Sequence, residues 1–286
     1  MKLILAATDF SARSDRAIRR AGLLAREQGA RLMLLHVVDD DRPERLVIEE
    51  VATAQELLEK TTGSVLSDLR CEAKVVLGDP FEGIAKTATE SGAELIVMGA
   101  HRKQILREIF VGTSIERVMR LRIAPVLMVN AEPSRPYERG LVATDLSEHS
   151  GHALQVAREL GILPRTQVVV VYAFDVFAKG KLSYAGVSTE KIASHVKEMA
   201  VNARSELAGF IAALDVDPKL TSLRVKEGRA AGVIVAAADE AGADIVVVGT
   251  HGRTGIVKFL LGSVTEEIMW RLERDILVIP PRPKAA

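Results

Sequence analysis

The sequence predicts an α/β fold, arranged as two tandem, doubly wound, mostly parallel five-stranded sheet domains. Three observations point there. Short continuous apolar runs alternate with stretches of helical spacing, turn residues separate them, and the whole series occurs twice. Continuous apolar runs suit strands covered on both faces. Strict strand–helix alternation suits a parallel sheet with helices on either side.

The elements follow in order. Leu3 to Ala7 is the first strand. Ser11 or Ser14 caps a helix whose apolar positions are Ala17, Ile18, Ala21, Leu24 and Ala25, and Gly29 ends it. A strand over Leu32 to Val38 leads to a polar helical segment from about Glu44 to Ser67. A third strand lies near Glu72 to Leu77, and Gly78-Asp79-Pro80 turns the chain. A short helix runs from Phe81 to near Gly92, a strand covers Leu95 to Met98, and a loop follows. A helix over Thr113 to Arg120 and a strand over Val126 to Val129 close the first half. The second half repeats this, with strands near Leu141, Val168, Leu223, Ile245 and Ile276.

The duplication is explicit. LILAATDFS from Leu3 matches GLVATDLS from Gly140, and Asp9 pairs with Asp145 at an offset of 136, as Asp39 does with Asp175. Gly78, Gly99 and Gly112 pair with Gly228, Gly249 and Gly262 at an offset of 150. A single insertion of 14 residues near VFAKGKLSYAGVS accounts for the change. Two long copies make a domain duplication rather than a solenoid. The domains are placed at 1–131 and 139–286, with 132–138 as a Pro- and charge-bearing linker.

Composition narrows the functions. Lys plus Arg equal Asp plus Glu at 38 each, which gives no electrostatic case for nucleic acid or an acidic membrane surface. Apolar runs are strand-sized, far below the roughly 20 residues of a membrane span. The start, MKLILAATDF, reads as a first strand and not as a signal peptide. The one cysteine, Cys71, fits a reducing cytoplasm and reads as a half-buried strand residue.

The loop after the fourth strand carries the functional signal. In the second half it is GTHGRTGIVKFLLGS, Gly249 to Ser263, with Gly252 and Gly262 at fixed spacing. In the first it is GAHRKQILREIFVGT, Gly99 to Thr113, with Arg102 at the middle glycine position. Ligands of open parallel sheets bind beyond the carboxyl ends of the strands. Here a strand end, glycines and a helix N-terminus meet, which favours a phosphate. The glycines are expected to allow close anion approach and positive φ. Ser263 and Thr265 offer hydroxyl donors, and His251 and Arg253 are further phosphate partners. A plain glycine-bearing connector with an N-capping serine explains the spacing equally well. No Gly-Lys-Ser/Thr occurs and the first turn, ATDLSEHS, lacks glycine, which argues against a Walker loop and a dinucleotide fingerprint.

The pattern G-x2-G-x9-G-[S/T], the first strand ending in Asp and the five-strand unit resemble the universal stress protein family over nearly the whole chain, in its tandem form. The resemblance implies a Rossmann-like nucleotide-binding fold and, in the ATP-binding branch, bound ATP with Mg²⁺ or Mn²⁺ on its phosphates. It places the adenosine-end acid on Asp145, beside Thr144, and the base-side position near Ala173. It places the phosphate loop on Val248, Gly249, Thr250, His251, Gly252, Arg253, Gly262, Ser263, Val264 and Thr265. In the first half Asp9, Val37, Gly99, Gly112 and Thr113 match. Arg102 departs from the pattern and either blocks the phosphate space or clamps the phosphate with its guanidinium. The resemblance also implies that Val126 to Val129 and Ile276 to Ile279 pair the halves about a pseudo-twofold axis. Homodimerisation and a protein partner stay open.

No catalytic residue and no protein metal site are assigned. His36 and Tyr172, at equivalent strand ends, read as structural. His101 and His251 share a loop position without companion ligands. The expected function is a cytoplasmic, ATP-binding stress sensor or regulator. The alternatives are a slow ATPase or phosphate-transferring enzyme using Ser263 or Thr265, and a nucleotide-free scaffold.

Overall fold

The computed structural model describes residues 1–100, 113–163, 168–175, 188–214, 216, 221–250 and 261–282. The first half runs β1 (Leu3–Ala7), α1 (Ala12–Gln28), β2 (Arg31–Val38), α2 (Glu44–Ser64), β3 (Cys71–Leu77), α3 (Pro80–Ser91), β4 (Leu95–Gly99), α4 (Ser114–Leu121) and β5 (Val126–Val129). The second runs β6 (Gly140–Thr144), α5 (Glu148–Glu159), β7 (Val168–Phe174), α6 (Thr189–Ala213), β8 (Thr221–Glu227), α7 (Ala230–Ala241), β9 (Ile245–Gly249), α8 (Ser263–Arg271) and β10 (Asp275–Ile279). The insertion falls largely on 176–187, outside the described residues.

Local chemistry sets the ends. Ser11 caps α1, accepting the Ser14 N–H, and Gly29 closes it in the left-handed region at φ 62°. Asp79 caps α3 through the Phe81 N–H, and Pro80 occupies the first helical position, where its missing N–H costs nothing.

The strands form one sheet in the order β3-β2-β1-β4-β5-β10-β9-β6-β7-β8. All pairings in this sheet are parallel except the central one, β5 with β10. There Leu127 faces Leu277, its own repeat equivalent, so the pseudo-twofold axis passes between them. Side chains alternate across the strands and fill two cores. Ile4, Ala6, Leu127 and Leu277 pack beneath α1 and α5. Leu3, Leu5, Met128 and Ile276 pack on the other face, beneath α3, α4, α7 and α8.

The connection between the halves is pinned rather than loose. Asp275, wholly buried, accepts the Asn130 and Ala131 N–H groups at 2.9 and 3.0 Å and the Tyr137 hydroxyl at 2.6 Å. Arg20 Nε lies 3.2 Å from Asp275 Oδ2, off the donor axis, so this contact is ionic. Arg20 also donates to the Arg135 carbonyl at 2.8 Å and stacks over the Tyr137 ring at 4.1 Å. Asp244 holds the far end, accepting the Glu138 and Arg139 N–H groups at 2.9 Å each.

Candidate functional site

In each half the strand order reverses between the first and fourth strands, β1/β4 and β6/β9, and a cleft opens at each switch point. The acid-bearing turn forms one wall of each. Thr144 Oγ1 accepts the Leu146 N–H at 3.0 Å and hydrogen-bonds Ser150 Oγ at 2.8 Å. Thr8, Phe10 and Ser14 repeat this arrangement. Phe10 and Leu146 take the left-handed conformation, at φ 58° and 64°, a strained state for bulky residues. The same unfavourable turn is thus kept twice, and each time it sets the preceding aspartate at the rim.

Asp145 Oδ1 accepts the Ser147 N–H at 3.1 Å and the Ser147 hydroxyl at 2.6 Å. For Asp9, partial burial would raise the carboxyl pKa, but hydrogen bonds from Ser11 and Ser14 and the Arg13 charge together hold it below the ordinary value.

The second cleft, about 190 Å³, gathers Thr144, Asp145, Val248, Gly249, Thr250, Gly262, Ser263, Val264 and Thr265 from the sequence expectation. It adds four residues that the sequence did not single out: Ala143, Ser150, Ala230 and Ile234. The apolar periodicity of α7 could have flagged Ile234, but not which cleft it would line. Ala173 is not among the lining residues; it lies half-buried on β7 against the core. His251, Gly252 and Arg253 lie outside the described residues. The first cleft, about 240 Å³, is lined by Asp9, Val37, Gly99 and Thr113 as expected. Arg102 and Gly112 lie outside the described residues, as does His101.

Two expectations about the glycine loop are corrected. Gly262 has φ −60° and Gly249 and Gly99 are not in the positive-φ region, so left-handed backbone is not the requirement there. Close approach is: a Cβ at Gly262 would meet the Thr250 carbonyl oxygen at 3.0 Å, and one at Gly99 would meet the Arg13 backbone at 2.7 Å. The Thr265 hydroxyl is not available as a donor to a ligand either. It is buried and donates to the Gly249 carbonyl at 3.0 Å, tying the start of α8 to the end of β9. Ser263 is exposed at the same helix start.

The two helix N-termini differ. Thr113 caps α4 with a complete capping box: its hydroxyl accepts the Glu116 N–H at 3.4 Å and Glu116 Oε2 accepts the Thr113 N–H at 3.0 Å. Glu116 is itself buried, so a carboxylate already sits at this N-terminus. At α8 the cap residue is Gly262, and no side chain caps the first turn. Gly262, Ser263, Val264 and Thr265, at the positive end of the α8 dipole, line the second cleft, and among the described residues no carboxylate caps this turn.

His36, read as structural, lines the first cleft and is held by the protein. It is buried, its Nδ1 donates to the Thr8 carbonyl at 2.8 Å, and Phe10 packs on its ring at 4.4 Å. Burial pushes the Cys71 thiol up to about 11, so it stays protonated and unreactive at neutral pH. Among the described residues no group of three or more His, Cys, Asp or Glu side chains could hold a metal ion. No helix among them is long and apolar enough to cross a membrane.

A doubly wound sheet with a cleft at its switch point, an acid on one wall and a helix N-terminus on the other defines the class: a doubly wound, mostly parallel α/β protein. The family model described as "Universal stress protein family" matches residues 1–130 and again 136–280, and the chain belongs to that family, in tandem form. It is 29% identical over 157 residues to universal stress protein MJ0577 of Methanocaldococcus jannaschii, covering 46% of this chain and 97% of the relative. It is 29% identical over 224 residues to universal stress protein E of Salmonella typhi, covering 73% and 68%. Among solved structures, a functionally unknown protein of Pseudomonas aeruginosa PAO1 superimposes with TM-score 0.66 at 21% identity, covering 98% of this chain and 93% of the other. A universal stress protein of Archaeoglobus fulgidus DSM 4304 gives TM-score 0.66 at 19% identity, covering 97% and 98%. These two likenesses are likenesses of fold.

Proposed function

We propose that this universal stress protein binds an adenine nucleotide, ATP first among them, in the second cleft and acts in the cytoplasm as a nucleotide-dependent stress regulator. One observation carries the reading: the uncapped first turn of α8 faces the same cleft as Asp145 and lies beside the close approach of Gly262 to Thr250.

The donor set fits such a ligand. Asp145 is an acceptor for ribose hydroxyls, and Ala143, Ile234 and Val248 provide an apolar wall for a base. The amides of Ser263, Val264 and Thr265 are donors for phosphate oxygens, with the helix dipole adding about 0.3–1 kcal/mol and up to about 2 where partly buried. His251, Gly252 and Arg253 belong to the proposed phosphate loop by the family pattern. Mg²⁺ or Mn²⁺ would arrive on the phosphates. The first cleft is proposed as the weaker or unused one, because Glu116 already occupies the α4 N-terminus and repels a phosphate there.

Calorimetric titration of the full chain with ATP and with adenosine tests this. One ATP site per chain is expected, with adenosine binding more weakly. Asp145→Ala should weaken both, roughly tenfold or more, since a hydrogen bond to a charged group contributes about 1.5–3 kcal/mol. Absence of binding by any adenine nucleotide in the unaltered chain would end the proposal.

A further inference from the structure

The two helix starts carry one sequence signature and two structures. Thr113-Ser114-Ile115-Glu116 and Ser263-Val264-Thr265-Glu266 both read S/T-x-x-E, which predicts reciprocal capping in both halves. Only the first half folds that way.

The difference traces to a residue on the other half of the molecule. Glu266 Oε1 accepts a hydrogen bond from an Arg120 terminal nitrogen at 3.2 Å, linking α8 to α4 across the junction. The repeat-equivalent partner for Glu116 would be position 270, which is Trp270 and carries no charge. So Glu116 turns back on its own helix, and Glu266 is drawn away from its own. A second change supports the first. Thr265 anchors to the Gly249 carbonyl where the first half has Ile115, and α8 begins one position earlier in the repeat than α4.

We propose that Arg120, from the first half, is a positioning residue for the phosphate end of the second half's cleft. By holding Glu266 it keeps a carboxylate off the first-turn amides of α8, leaving them to a phosphate. A carboxylate and a phosphate compete for the same donors, and a charge-assisted bond to either is strong. The two halves therefore depend on each other for function as well as packing. This inference rests on the phosphate reading of the second cleft given above.

The test uses the full chain with Arg120→Leu, alone and with Glu266→Gln. In the ligand-free protein, Arg120→Leu should slow hydrogen exchange at the Ser263 amide about fivefold or more, as Glu266 swings back to accept it. Glu266→Gln in the same chain should undo that. A charge acting only at a distance would leave this exchange rate alone. ATP affinity should fall about tenfold in Arg120→Leu and return to within about twofold in the double variant, while adenosine affinity holds within about twofold throughout. If Arg120→Leu does not fold, Arg120→Gln carries the same comparison.

An unchanged Ser263 amide in the single variant overturns the proposal, whether or not ATP binds. A slowed amide with unchanged ATP affinity also overturns it, because competition with phosphate is then absent. No nucleotide bound by the unaltered chain removes the phosphate reading and this inference together, and is told apart by the wild-type titration.

Discussion

Replacing Asp275 with Asn tests how the two halves are joined. Asn keeps the shape, and its carbonyl oxygen still accepts the Asn130 and Ala131 N–H groups. What goes is the charge facing Arg20 and the acceptor of the Tyr137 hydroxyl, where an amide NH2 now stands. The Arg20 side chain is only 6% exposed, so its guanidinium is left buried without its counter-charge. Breaking a buried pair from one side costs about 3–5 kcal/mol. Arg20 keeps the Arg135 carbonyl and its stacking on Tyr137, which places the loss near the lower end, about 3 kcal/mol. With a urea slope of roughly 3 kcal/mol/M for a chain of this size, the unfolding midpoint should fall by about 1 M. Adding Arg20→Met should recover part of that loss, since the stranded charge is removed with it. The control is Glu132→Gln, which breaks the exposed Arg19–Glu132 pair next to the same segment. It should shift the midpoint by less than about 0.3 M, as exposed pairs contribute little. Equal small shifts in both variants would refute the claim that a buried ionic cluster fastens the junction.

Other consequences follow from single contacts. Gly99→Ala should destabilise by about 1–3 kcal/mol in chemical denaturation, because its Cβ would press on the Arg13 backbone at 2.7 Å and neither element can yield cheaply. Thr113→Ala removes the α4 cap and should cost about 1 kcal/mol by the same assay. The Arg282 Nε donates to His152 Nδ1 at 3.2 Å, which requires that nitrogen unprotonated. Burial and then the Arg282 charge lower the His152 pKa below 6.5. A depressed folded value means the stabilisation is present above 6.5 and is lost as pH falls through the folded value. The thermal midpoint should therefore drop on acidification from about pH 7.5 to 5.5, and His152→Gln should flatten that drop. A slope unchanged by the substitution would contradict the assignment.

The sequence made the fold legible because the repeat supplied each element twice. A weak signal in one half was checked by its partner, and Leu127 opposite Leu277 shows the duplication continuing into the pairing itself. The acid-bearing turns were legible for the same reason. Other features were not. S/T-x-x-E reads alike at Thr113 and Ser263, and what separates them is tertiary: the contact of Glu266 with Arg120, 146 positions away, and the Thr265 hydroxyl on the Gly249 carbonyl. Asp275 drew no reading from the sequence, because nothing local reports that Arg20, Asn130 and Tyr137 converge on it. The glycines were expected for positive φ, whereas Gly99 and Gly262 are set by how closely another backbone approaches, a tertiary property that spacing does not encode.

The most direct test of the central claim is the nucleotide content of freshly purified protein, denatured and measured by mass spectrometry, beside a Gly252→Arg variant that copies the first half's residue into the second. About one adenine nucleotide per chain, lost in the variant, is the predicted result. About two per chain would contradict the assignment of binding to the second half alone. None, with none taken up on titration, would contradict the nucleotide site itself.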